Sequence, residues 1–125
     1  PDNVRLLNNL AMALSEISGR EREAIPCARK AIELYGRSPE LLDTLGIVLS
    51  RNDLAKEAEQ VLREAVSANP DPRYRFHLLV ALLAQEKRVE AISQWSQLDL
   101  DALRKSALSP AERRDLNQIR KRFEG

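Results

Sequence analysis

The chain has 125 residues, 43% of them apolar and 31% charged, with a formal net charge of +1. That composition excludes a disordered chain and supplies material for one buried core, while near-neutrality removes any global field drawing nucleic acid or a membrane surface. A single cysteine excludes an internal disulfide framework and fits a reducing, cytoplasmic setting, and no apolar run is long enough to span a membrane.

The first residue is not methionine, so the sequence is expected to be a piece of a longer polypeptide. From Val4, Leu7, Leu10, Ala11 and Leu14 recur at helical spacing on one side. Asp2 or Asn3 is placed to cap this helix through a side-chain oxygen. A second helix, expected to begin near Arg22, carries Ala24, Ala28 and Ala31. Pro26 then falls in its first turn, where a missing N–H costs little. Gly36 closes the unit. Ala24 follows Ala11 by thirteen positions, one more than in the next unit, and the extra residue is expected in the turn at Ser18-Gly19.

The pattern returns between Pro39 and Pro70. Leu42, Leu45, Gly46 and Leu49 share one side of a helix; Ala58, Leu62 and Ala65 share one side of the next. A helical glycine costs about 1 kcal/mol relative to alanine, so Gly46 implies a packing reason. Gly46 and Ala58, twelve residues apart, are the expected points of close approach between the two helices. A third, weaker unit runs through Leu78, Leu79 and Leu82 to Ala91, Trp95 and Leu98, its second helix expected from Arg88 to Gln97 or Leu98. Ala24, Ala58 and Ala91 stand 34 and 33 residues apart, so the period persists. Trp95 fills the large-residue slot and is expected in the core.

Asp99 to Leu108 shows no period and reads as loop or a short helical turn. Ser109-Pro110-Ala111-Glu112 then forms a capping box with proline at the first helical position. Leu116, Ile119 and Phe123 follow as one apolar stripe. This is a helix covering the end of the stack or, alternatively, the first helix of a fourth unit. Its Arg113, Arg114, Arg120, Lys121 and Arg122 read as a solvated face or as an anion-binding patch. Glu112, Asp115 and Glu124 dilute that patch, and no aromatic residue interleaves it.

Chemistry-bearing residues are few. His77 and Cys27 are the only histidine and cysteine, too few for a four-ligand zinc site, and they fall on different helices two units apart. The glycines are scattered, with no phosphate-cradling loop.

The run Leu42, Leu45-Gly46, Leu49, Ala58, Leu62, Ala65, Pro70 resembles the tetratricopeptide repeat, and its Leu-Asp-Thr-Leu-Gly stretch is similar to those in long bacterial arrays. The resemblance implies an all-α, antiparallel helix-pair solenoid in a single domain. Repeats are expected at about 4–38, 39–71 and 72–98, with a connector at about 99–108 and a capping helix at about 109–124. It also implies a non-catalytic scaffold for protein–protein interaction, with no cofactor, metal or small-molecule substrate. The first helix of each pair would line a concave groove. Candidate groove residues are Asn8, Asn9 and Met12 in the first unit, Asp43, Thr44, Ile47 and Arg51 in the second, and Arg73, Phe76, His77 and Val80 in the third. Of the positions that clamp acidic chaperone tails in one branch of the family, here Asn8, Met12, Thr44, Arg73 and His77, only Arg73 keeps the charge, which argues against such a clamp. Asn9 instead fits an asparagine ladder for peptide backbone, so a peptide or partner helix is the expected ligand. Self-association through exposed stack ends and an RNA-binding helical repeat are the alternatives.

Overall fold

Capping sites with the same chemistry start three of the helices in the computed structural model, which describes residues 2–124, Asp2 by its backbone alone. Ser38-Pro39, Asp71-Pro72 and Ser109-Pro110 each place a side-chain oxygen at the cap and proline at the first helical position. The oxygen satisfies an orphan N–H, and proline has none to lose. Ser38 Oγ accepts from the Leu41 N–H at 3.4 Å, and Asp71 Oδ1 accepts from that of Arg73 at 2.9 Å.

Among the described residues all regular structure is helical. Helix α1 (Asp2–Ser15) leads through a 3₁₀ turn at Glu21–Glu23 into α2 (Ala24–Tyr35). Then come α3 (Pro39–Arg51), α4 (Ala55–Ala68), α5 (Pro72–Ala84), α6 (Arg88–Gln97), α7 (Leu100–Lys105) and α8 (Pro110–Glu124). Helices α1 and α2, α3 and α4, and α5 and α6 form three successive antiparallel pairs, and each later pair stacks on the one before. The result is an all-α helix-pair solenoid. Helix α1 begins at Asp2, so Asn3 lies inside it rather than at its cap; the cap expected of the Asp2 side chain falls outside the described residues.

The turns inside the second and third pairs repeat one geometry. Asp53 and Glu86, 33 residues apart, both take φ 60°. In each turn the next N–H returns to the helix just ended, Leu54 to the Leu49 carbonyl at 2.9 Å and Lys87 to that of Leu82 at 3.0 Å. Gly36, at φ 90°, ends α2 in a conformation that side chains disfavour.

Small residues set the spacing inside the pairs. Ala11, Ala24 and Ala28 in the first pair, Ala58 in the second and Ala91 in the third are buried in one continuous cluster with Leu14, Leu45, Leu49, Leu62, Leu78, Leu79 and Leu82. The side chain that enters the notch at Gly46 is Leu62, one turn beyond Ala58: a Cβ on Gly46 would meet three of its carbons inside 3.0 Å. Burial continues past the third pair into Leu103 of α7 and Leu116 and Ile119 of α8. The aperiodic connector thus contains a six-residue helix, capped by Asp99, whose Oδ1 accepts from the Ala102 N–H at 3.0 Å. Trp95, expected in the core, is only half-buried. It sits at the core's edge with its ring centroid 5.6 Å from that of Phe123 on α8.

One buried carboxylate, Glu59, anchors a partly exposed charged cluster. Glu59 on α4 accepts from Arg63 at 2.8 Å, Lys87 at 2.9 Å and Gln85 at 2.9 Å, tying α4 to the turn between α5 and α6. Burial pushes its carboxyl up, but these donors outweigh that and hold it at about 2.

Candidate partner-binding groove

Helices α1, α3 and α5 each touch the next, which places their outward positions beside one another. Two cavities open between them. The first, of about 540 Å³, is polar and lies between α1 and the start of α3. Arg5, Asn8 and Asn9 line one wall; Tyr35, Ser38, Glu40 and Leu41 line the other. The Asn8 Oδ1 atom is buried without a hydrogen-bond partner among the described residues.

The second cavity, of about 220 Å³, lies between α3, α5 and α8. Ile47, Phe76 and Val80 supply its apolar surface, and Arg51, His77, Glu112 and Asp115 supply the polar rim. Phe76 is almost wholly buried, so it serves as floor. Arg51 is held by α1: its Nη1 donates to Ser15 Oγ at 2.6 Å and lies 3.7 Å from Glu16.

His77 joins three helices. Its Nδ1 is 2.7 Å from Asp43 Oδ1 on α3, and its Nε2 is 2.6 Å from Glu112 Oε2 on α8. Both partners are carboxylates, so both ring nitrogens donate when the ring is protonated. Burial alone lowers the imidazole, but Asp43 and Glu112 overcome this and raise it to about 9. Burial likewise raises Glu112, while hydrogen bonds from His77 and Ser109 bring it down to about 2. Burial pushes the neighbouring Asp115 carboxyl up.

The structure therefore brings together Asn8 and Asn9 in one cavity, and Ile47, Arg51, Phe76, His77 and Val80 in another. Asp43 is buried beneath His77, and Thr44 is buried with its hydroxyl donating to the Glu40 carbonyl at 3.2 Å. Met12 and Arg73 line neither cavity, and Arg73 turns back to Asp71 at 3.5 Å. Glu112 and Asp115 enter the second cavity from the C-terminal helix, which sequence reasoning kept apart from the groove. The capping box was legible at Glu112, whose Oε1 accepts from the Ser109 N–H at 2.9 Å. Its second oxygen, free for His77, leaves no mark in the spacing.

No helix among the described residues is long and apolar enough to cross a membrane. Residues 4–37 match the family model of the tetratricopeptide repeat. Over 78 residues, 62% of the chain, the sequence is 35% identical to the TPR repeat-containing protein PA4667 of Pseudomonas aeruginosa. The matched stretch spans 13% of that protein's length.

Proposed function

The chain belongs to the tetratricopeptide repeat family, whose repeats generally mediate protein–protein interaction without catalysis, and we propose that its groove holds an extended segment of a partner protein. The observation that carries this reading is the succession of a polar and an apolar cavity along the first helices. Arg5, Asn8 and Asn9 line the first cavity with polar side chains suited to main-chain amides. Ile47 and Val80 over Phe76 offer a slot for one apolar side chain. A peptide running from one to the other would bond through its backbone at one end and bury a side chain at the other.

The charges around the groove are mixed. Arg51 and protonated His77 are balanced by Asp43, Glu112 and Asp115, so a strongly acidic or strongly basic ligand gains little. Burial of Asp43 and Thr44 assigns them to the wall, while Asn9, Ile47, Arg51 and Val80 carry the contact.

The test is retention of partners from the source cell by the wild type and by Asn9→Ala, Ile47→Ser and Arg51→Ala, with Arg113→Ala as the control on the outer basic face. Loss of the same partners by the three groove variants, with unchanged melting curves, is the expected result. Loss by Arg113→Ala alone would move the binding surface to the tail.

A further inference from the structure

Along α8 the sequence mixes carboxylates among the basic residues, and the fold sorts the two. Glu112 and Asp115 line the cavity beside His77, and Asp115 and Arg122 line a further one against α5. Arg113, Leu116, Asn117 and Arg120 line instead a separate cavity of about 200 Å³, together with Arg104, Ser106 and Leu108. Arg113 and Arg120 are seven residues apart, two turns along one side of α8, with Asn117 between them. Arg104 comes from the last turn of α7. Three arginines from two helices thus share one cavity, and among the described residues no carboxylate side chain lines it.

The acids within ion-pair range leave most of that charge uncompensated. Asp101 Oδ1 is 3.9 Å from Arg104, on a side chain that is 87% exposed, and Glu124 Oε2 is 3.5 Å from Arg120 Nε. Neither contact is a hydrogen bond, and long ion pairs open to water contribute little. Arg113 has no carboxylate in ion-pair range among the described residues.

We propose that this cavity binds a phosphate-type dianion, free or as a small phosphate monoester, and so bridges α7 and α8. A guanidinium presents paired N–H donors whose fork matches two oxygens of a phosphate, and the Asn117 amide adds a neutral donor. The cavity is smaller than the about 300–1,000 Å³ typical of sites for larger organic ligands, which favours a small anion. No aromatic side chain lines it to stack a base, which weighs against nucleic acid. The site is distinct from the groove, whose two cavities share none of its residues.

The test is calorimetric titration of the full chain with inorganic phosphate and with glycerol phosphate, at neutral pH and an ionic strength held constant with chloride. The proposal expects saturable binding of one anion per chain and a melting temperature raised above that in chloride alone. Arg104→Gln and Arg113→Gln should each weaken binding at least about tenfold, the loss of one charge-assisted contact. Arg114→Gln and Lys121→Gln remove the same charge from α8 without touching the cavity, and should bind as the wild type does. Melting in chloride, unchanged across the four variants, shows that the fold is kept. The tighter of the two ligands names the source of the phosphate group. Equal weakening by all four variants would reduce the effect to diffuse attraction by a basic helix and overturn the site. So would the failure of both anions to bind beyond the chloride control.

Discussion

The Leu62 side chain occupies the space a Cβ on Gly46 would need, so these two residues set how closely α3 and α4 approach. Gly46→Ala ordinarily gains about 1 kcal/mol of helix propensity. Here the added methyl meets the branch point of a fully buried leucine, and overpacking of this kind costs about 1–3 kcal/mol. Gly46→Ala is therefore expected to lower the melting temperature, and Gly46→Leu to lower it further. Leu62→Ala should relieve part of the Gly46→Ala penalty, so the double variant is less destabilised than the sum of the singles. Additive effects in thermal denaturation would show that the notch is not the point of contact.

His77 gives the fold a dependence on alkaline pH. Its folded value of about 9 stands above the ordinary 6.5, so its contribution is fully present below pH 6.5 and is lost as pH rises through 9. The effect is on the order of 1–3 kcal/mol. Denaturant titrations between pH 6 and 10 should show this decline in the wild type and a flatter profile in His77→Gln. An unchanged slope in the variant would remove His77 from the linkage.

Acid acts through Glu59 and Glu112. Both are held at about 2 against an ordinary 4.5, so their stabilisation is present above pH 4.5 and lost as pH falls through 2. Glu59→Gln leaves Arg63 and Lys87 without their shared anion and should cost about 1–3 kcal/mol at pH 7. The same denaturation at pH 2 should show a much smaller difference between variant and wild type.

Helix α8 is expected to be needed for the third pair. Deleting residues 109–125 removes Leu116 and Ile119 from the core, uncovers Trp95 and leaves His77 with Asp43 alone. A lower melting temperature, red-shifted tryptophan emission and increased association should appear together. A truncated chain with unchanged melting and emission would show that α8 does not cap the stack.

The sequence made the pairs legible because close helix packing demands small residues at a fixed period, and Ala24, Gly46, Ala58 and Ala91 carry that demand in plain form. The cap of α8 was readable for the same reason, since a local rule ties Ser109 to Glu112. What was not readable depends on contacts between distant elements. The six-residue α7 has no apolar period, and only the burial of Leu103 between helices reveals its role. Trp95 fits the large-residue slot but lies at the core's edge, against Phe123 of α8. Phe76 and Thr44 sit at groove positions by register, yet their burial depends on neighbouring helices. The second bond of Glu112 to His77 likewise requires knowing that α8 returns to the side of α3 and α5.

The central claim is that the partner lies along α1, α3 and α5 rather than on the outer helices. A photo-reactive amino acid placed singly at Asn9, Ile47 and Val80 tests it most directly, with matched positions at Gln60 on the exposed side of α4 and Arg113 on α8. The account predicts that the three groove positions crosslink to one and the same partner, through successive segments of its chain, and that Gln60 and Arg113 do not. Crosslinking from Gln60 or Arg113 with silence at Asn9, Ile47 and Val80 would contradict it.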